Sequence, residues 1–211
     1  MSNLSDFSPR NPFRFWIPLA LQTLLIAAVP AQAIYTHTTG KTVVIKTAPV
    51  DPYDLLRGYY TVLNYDISQV NTLKKLPGWK DLPKETWNKD FLDNGLVVYV
   101  TLERPQPKAT AQATPDPWKP IAISPKRPDR LPDHQISLQG KVQHNQIIYG
   151  LETYYMPESR RDEVNNTIAH NQRMVNQRGA NAKPAVVEIK VDAQGKAVPV
   201  QIWVADQRFE F

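Results

Sequence analysis

The sequence contains no cysteine, and this absence removes several kinds of site at once. Without thiols the chain forms no disulfide framework, no thiolate zinc site and no cysteine nucleophile. The sequence also lacks a P-loop, a G-x-G-x-x-G dinucleotide motif and a G-x-S-x-G nucleophile elbow. A Ser/His/Asp triad assembled from distant residues stays open, but three common nucleotide and acyl-transfer chemistries have no signature here.

Histidine is scarce as well, and its spacing does not suit a metal. None of the four histidines belongs to an H-E-x-x-H arrangement, so we expect surface or packing roles, with no metal site and no cofactor. These residues are His37, His134, His144 and His170.

Clustered charge of one sign is missing too. The net charge is +5, yet no run of five or six like charges occurs, and Arg160 and Arg161 are followed directly by Asp162 and Glu163. Nucleic-acid binding would require arginine and lysine gathered with aromatic side chains on one face. The scattered pattern predicts a solvated surface and no nucleic-acid partner.

The composition is that of a folding protein in which proline is abundant. Hydrophobic residues make up 42% of the sequence and charged residues 21%, a balance that permits a core. The 19 prolines among 211 residues exceed the usual share of about 5%, and they favour strands, turns and loops over long helices. The length fits one domain together with a targeting or anchoring segment.

One long uncharged run lies near the start. Residues 15–35 read FWIPLALQTLLIAAVPAQAIY, and about 20 helical residues reach across roughly 30 Å of hydrocarbon. Trp16 and Tyr35 stand at the two ends, where aromatic rings favour the membrane interface. The run therefore predicts a transmembrane anchor.

A cleaved signal peptide is the alternative interpretation of the same run. Arg10 and Arg14 would then form its basic region, and Ala31-Gln32-Ala33 a small-x-small cleavage site. Both interpretations carry the following residues across the membrane. We expect a cytoplasmic leader at 1–14, an anchor or signal segment at 15–35 and an extracytoplasmic β-rich domain at 36–211, in the periplasm or the thylakoid lumen.

The rest of the chain predicts a mainly β, α+β domain, built as an antiparallel sheet or partly open barrel with one packed helix. Ser159 to Gln177 is the helix candidate, and 104–133 is a proline-rich loop that contains an edge strand. Residues 66–94 predict an irregular excursion, pinned to the body by Trp79 and Trp87. The predicted strands are 42–47, 59–67, 96–102, 118–124, 134–143, 146–156, 185–192 and 197–204, of which the last four form two hairpins.

The segment Asp51 to Tyr65, DPYDLLRGYYTVLNY, carries a family resemblance. Gly58, Tyr60, Leu63 and Tyr65 match the motif of the GDYXXLXY family of bacterial membrane-associated proteins, while Tyr59 stands where that motif has its aspartate. The later stretch YGLETYYMPE at 149–158 is also similar to the family. The resemblance implies an N-terminal anchor and an extracytoplasmic β-rich domain, but no specific activity.

Two interpretations of the motif region remain open. Strand alternation places Leu63 and Tyr65 on one face, which either packs into the core with its phenols bonded to backbone or flanks a ligand site. In the second case Asp51, Asp54, Arg57 and Glu152 converge near Gly58 as a groove for a peptide or carboxylate. The candidate ligand or partner residues are Asp51, Asp54, Arg57, Gly58, Tyr59, Tyr60, Leu63, Tyr65, Glu152, Tyr155 and Glu158.

The sequence favours a non-catalytic function. The anchor and the missing catalytic signatures predict a membrane protein that binds or scaffolds a membrane-protein partner in an envelope or thylakoid membrane. The thylakoid setting rests on similarity to photosynthetic bacterial members. The alternative is an extracytoplasmic hydrolase of peptide or glycan, in which Glu152, Glu158 and Asp51 supply paired carboxylates.

Overall fold

The computed structural model describes residues 13–47, 60–86, 91–106, 114–155, 167, 185–204 and 207–210. Two short 3₁₀ helices cover Asp66–Ser68 and Trp79–Asp81. The other elements are α1 (Phe13–Thr39), β1 (Lys41–Lys46), β2 (Tyr60–Val62), α2 (Val70–Leu73), β3 (Val97–Glu103), β4 (Lys119–Ser124), β5 (Gln135–Gln143), β6 (Gln146–Ile148), β7 (Thr153–Tyr155), β8 (Val186–Val191), β9 (Ala197–Val204) and β10 (Gln207–Glu210).

The strands confirm the mainly β class and divide into more than one antiparallel sheet. The first sheet has the order β1-β8-β9-β10, and the second has the order β4-β3-β5-β6. Strands β2 and β7 form a separate two-stranded ribbon. Among the described strands neither four-stranded sheet closes on itself, so the domain is built from open sheets that share a buried apolar core.

The first sheet is organised around the hairpin that the sequence predicts. Strands β8 and β9 are joined by a turn at 192–196, in which Gly195 has a φ of +88°. That left-handed conformation suits glycine because a Cβ would resist it. Strand β10 was not predicted, since only Phe209 of its four residues is buried and the segment is too short to show alternation.

The second sheet confirms two predicted features and corrects a third. Strand β4 is an edge strand, and residues His144 and Asn145 have φ values of 47° and 60°, which make the tight turn between β5 and β6. The predicted strand 146–156 is wrong in its length. It ends at Ile148, because Gly150 takes a φ of +77° and redirects the chain so that β7 pairs with β2 instead.

The motif segment also differs from its predicted strand at 59–67. Regular pairing stops at Val62, and a 3₁₀ helix follows at Asp66–Ser68. The irregular excursion after it is confirmed, with α2 and a second 3₁₀ helix, and Trp79 is buried as expected. Trp87 lies outside the described residues, as does the predicted helix at 159–177 except for Thr167, which is helical.

Helix α1 continues four residues beyond the predicted boundary at Tyr35 and ends at Thr39. Its two parts, Phe15–Ala28 and Pro30–Thr39, are bent by 41°, and Pro30 accounts for the bend because its ring removes a helical hydrogen bond. Within the described residues no single straight helix is long and apolar enough to cross a membrane. The two bent parts of α1 meet that requirement together.

Candidate functional site

The motif residues Leu63 and Tyr65 lie in the core. Both side chains are buried, Tyr65 completely, and the Tyr65 hydroxyl donates a 2.5 Å hydrogen bond to the backbone oxygen of Leu151. Next to this contact, the Leu63 N–H donates to the backbone oxygen of Glu152 at 2.8 Å. For these two residues the structure supports the packing interpretation, in which the phenol satisfies a buried backbone acceptor.

A second tyrosine, Tyr149, makes the opposite contact, from the segment at 149–152 back to the residues that follow the motif. The buried Tyr149 hydroxyl donates to the backbone oxygen of Ile67 at 2.6 Å, while the Tyr149 N–H donates to the Glu152 carboxylate at 2.7 Å. Burial, and to a lesser degree the negative charge of Glu152, raise the pKa of the Tyr149 hydroxyl well above its ordinary value. We call Tyr65 and Tyr149 the tyrosine pair. It ties the motif segment to the segment at 149–152.

The tyrosine pair is suited to holding two irregular segments together, not to acid–base chemistry. A tyrosine whose pKa is raised stays protonated, and each hydroxyl already donates to a carbonyl oxygen. Glu152 accepts a backbone hydrogen bond through Oε1 and is half-buried. Tyr149 was not among the predicted site residues, although it begins the stretch at 149–158 that is similar to the family.

Most of the other predicted site residues lie outside the described part of the chain. Tyr60 and Tyr155 form a register pair at one end of the β2–β7 ribbon, so the structure brings these two backbone positions together. The convergence of carboxylates and arginine with Glu152 stays a prediction. The residues outside the described ranges are Asp51, Asp54, Arg57, Gly58, Tyr59 and Glu158.

A groove of about 720 Å³ lies near the end of β1 and the start of β4. Trp118 is buried at its wall, and its backbone N–H donates to the oxygen of Val44 at 2.8 Å, which joins the two sheets. The Arg104 guanidinium lies 5.2 Å from the centre of the Trp118 ring, within the range of a cation–π contact. Arg104 and Trp118 fall in the segment that was predicted as a proline-rich loop with an edge strand, and the groove itself was not predicted.

Charges of both signs surround the groove. Lys46 Nζ and Asp66 Oδ2 form an ion pair of 2.9 Å, and the lining also includes Glu103, Asp116 and Lys119. Partly exposed ion pairs of this kind contribute little to the stability of the fold. They give the groove a surface with charges of both signs. The lining therefore combines charged groups of both signs with several prolines and one aromatic wall.

Helix α1 carries a different kind of exposed surface. The large apolar side chains along it are between 39% and 68% exposed, far above what a helix packed in a core would show. These residues are Phe15, Trp16, Ile17, Leu19, Leu21, Leu24, Leu25, Ile26, Ile34 and Tyr35.

The C-terminal end of α1 is fixed to the first sheet by a buried hydrogen bond. The Thr36 hydroxyl donates to Asp192 Oδ2 at 2.9 Å, and both side chains are at least 95% buried. The other oxygen of Asp192 accepts from the N–H groups of Gln194 and Lys196, each at 2.9 Å. One carboxylate therefore orders the hairpin turn and holds the helix.

Two further contacts make this attachment close. The Lys196 ammonium donates to Gln32 Oε1 at 2.9 Å, one helical turn before Thr36. At Gly40 a Cβ would lie 2.4 Å from the Thr36 oxygen and 3.0 Å from the Val191 nitrogen, so only glycine permits the helix to approach β8 this closely. We call Gln32, Thr36, Asp192 and Lys196 the junction. Asp192 at the start of a tight turn was its one sequence signal.

Among the described residues, no group of three or more His, Asp or Glu side chains is placed to hold a metal ion. The family model described as GDYXXLXY protein matches residues 22–202, which is most of the chain. No curated protein and no solved structure matches the chain.

Proposed function

Because this chain belongs to the GDYXXLXY family, we propose that it is a non-catalytic membrane-anchored protein whose β-rich domain binds or scaffolds a membrane-protein partner. In this proposal α1 spans the bilayer, residues 1–14 stay in the cytoplasm, and the domain lies on the other side. That side is the periplasm or, in a photosynthetic cell, the thylakoid lumen.

The exposure of α1 is the observation that carries the proposal. An uncharged helical surface of large apolar side chains requires an apolar environment, and the described part of the chain does not provide one. Trp16 and Tyr35 stand near the ends of that surface, where interfacial aromatic residues are enriched. The bend at Pro30 is compatible with a span, because bilayers accommodate kinked and tilted helices.

The groove beside Trp118 supports the binding part of the proposal. It is open and mixed in charge, which is the character of a polar interface that forms with another protein rather than of an enclosed catalytic cleft. The predicted ligand residues from Asp51 to Arg57 remain candidates for the same role. The hydrolase alternative needs Glu152, Glu158 and Asp51, of which Glu152 is bonded to the Tyr149 backbone, and no observation favours it.

Fractionation of the full chain, expressed in a bacterium without thylakoids, tests the anchor and its orientation. We expect the protein to stay in the membrane pellet after alkaline carbonate, and a protease added to intact spheroplasts to digest the domain. Release by carbonate would contradict the anchor. Digestion only after the spheroplasts are lysed would contradict the orientation. Crosslinking in native membranes tests the partner, and recovery of a monomer alone would count against scaffolding.

A further inference from the structure

The junction sets the height at which the domain meets the helix. Lys196 contacts Gln32 rather than a residue near Thr39, so the hairpin turn lies beside the last two turns of α1. At the same level of the helix, Ile34 and Tyr35 remain 61% and 53% exposed, and Ile34 lies on the side opposite to Gln32 and Thr36 because successive residues are turned by about 100°. At this level the helix is therefore polar on the side that holds the domain and apolar or aromatic on another side.

This arrangement leaves no linker between the helix and the domain. Gly40 is the single residue between α1 and β1, and its N–H donates to the Thr36 oxygen at 2.9 Å. If the hydrocarbon ends near Gln32, the segment from Phe15 to Ala31 lies within it, and about 17 residues at 1.5 Å each give roughly 25 Å. That length is slightly short of a typical bilayer core, which small tilts and local thinning accommodate.

Charged side chains of both signs lie beside the end of the helix. A depression of about 300 Å³ beside Thr39 is lined by Lys41 and Arg127. Lys41 begins β1 and its side chain is 54% exposed, and Arg127 is exposed. The acidic groups here are Asp129, Asp133 and Asp192. Asp129 is exposed, Asp133 is fully exposed and forms a long ion pair of 3.9 Å with the Lys41 ammonium, and Asp192 is buried in the junction. Arg127 has no ion pair of this kind among the described residues that line the depression, and Lys196 adds a third cation at the hairpin turn.

On the basis of the proposed membrane anchor, we propose that the hairpin turn, Lys41 and Arg127 form a seating face that rests directly on anionic phospholipid headgroups. The phosphate groups lie at the level of Gln32 to Lys41, within reach of the three cations, including Lys196. The junction holds the face at this height. The domain is therefore carried flat against the bilayer and not on a flexible tether.

The absence of cysteine makes a site-specific test direct, because a single introduced thiol is unique in the chain. The full chain is reconstituted in vesicles of phosphatidylcholine with or without phosphatidylglycerol. An environment-sensitive fluorophore is placed at Gln194→Cys, on the exposed hairpin turn, or at Gln143→Cys. Gln143 is exposed at the C-terminal end of β5, roughly 13 Å along the strand from Gln139, whose N–H donates to the Gly195 oxygen of the hairpin turn, and roughly 26 Å from Gln135 beside the depression.

A quencher attached to the lipid headgroup should quench the probe at residue 194 several-fold more than the probe at residue 143. The double variant Lys41→Glu/Arg127→Glu should reduce this quenching in vesicles that contain phosphatidylglycerol and leave it unchanged in phosphatidylcholine alone. Lys141→Glu, an exposed change near the far end of β5, is the matched control and should have no effect. Circular dichroism checks that each variant folds.

The possible outcomes separate the two proposals. Equal weak quenching at both positions, in protein that resists carbonate extraction, would overturn the seating face and leave the anchor standing. Extraction of the protein by carbonate would instead overturn the proposed function. Quenching at residue 194 that is equal with and without phosphatidylglycerol, and equal in the wild type and the double variant, would overturn the preference for anionic lipid.

Discussion

Helix α1 and the second sheet use the same kinds of apolar residue in opposite ways. Leu138, at the centre of β5, is completely buried, whereas Leu24, in the middle of α1, is 68% exposed. The sheet satisfies its apolar side chains within the chain, so its stability is an internal property. The large apolar side chains of the helix are not buried by the described part of the chain. The core side chains of the second sheet are covered by the chain itself, whereas the large apolar side chains of α1 are not covered by the described residues, and the junction holds that helix to the first sheet.

Truncating the core should have the largest effect on the domain. Tyr65→Ala removes a buried aromatic ring and leaves the Leu151 oxygen without its 2.5 Å partner, so the free energy of unfolding should fall by about 3–5 kcal/mol. Tyr35→Ala, a change of the same type on the exposed surface of α1, should alter it by less than about 0.5 kcal/mol. Urea unfolding of the protein in detergent measures both. Equal losses would contradict the contrast between the two regions.

A charge in α1 should reduce the insertion of the helix into the membrane and leave the stability of the domain unchanged. Leu24→Arg places a cation near the middle of the apolar helix, at a cost of insertion of about 2.5–3.5 kcal/mol. The carbonate-resistant fraction should therefore fall, while the urea unfolding of the domain stays as in the wild type. Leu24→Ala controls for the loss of the leucine and should remain in the membrane. A domain destabilised by Leu24→Arg would show that α1 is part of the core.

Removing a hydrogen bond of the junction should weaken the attachment of α1 to the first sheet. Thr36→Val keeps the side-chain shape and removes the donor to the buried Asp192 carboxylate, which should reduce the free energy of unfolding by about 1.5–3 kcal/mol. Thr38→Val is the matched control, because Thr38 is exposed and, among the described residues, its hydroxyl donates to carbonyls of its own helix. Its effect should stay within about 0.5 kcal/mol. Similar effects of both variants would contradict the role given to the junction.

The smallest expected effect is a dependence on alkaline pH. The raised pKa of Tyr149 means that the unfolded chain ionises this group first, at its ordinary value near 10. The stabilisation by Tyr149 is therefore complete below pH 10 and decreases as the pH rises above it, by at most about 1.4 kcal/mol per unit. Tyr149→Phe should lower stability by about 1 kcal/mol at neutral pH and make this alkaline decrease shallower. Identical pH profiles for both proteins would contradict this assignment.

Strand positions and the β8–β9 hairpin could be predicted from the sequence because they depend on local pattern. Alternating apolar residues in β3 and the Ala193-Gln194-Gly195-Lys196 turn carry their own signals. The motif segment could not be predicted in the same way. Its strand-like alternation continues to Ile67, but the regular pairing ends at Val62, since the partner strand β7 is only three residues long.

The junction and the groove have even weaker sequence signals than the motif segment. Thr36 and Asp192 are separated by 156 residues, and no spacing rule relates them. The groove lies between the end of β1 and the start of β4, which belong to different sheets. The sequence predicts Trp118 at the start of an edge strand within a proline-rich loop, and this local pattern carries no information about its distance from β1.

The sequence alone determined that this protein has an uncharged apolar helix followed by a mainly antiparallel domain, because hydropathy and alternation are properties of neighbouring residues. Only the tertiary structure decided which helix residues face the domain and how the tyrosine pair holds the motif segment to the segment at 149–152. Those features depend on hydrogen bonds between distant segments, which form only when the sheets have brought them within about 3 Å.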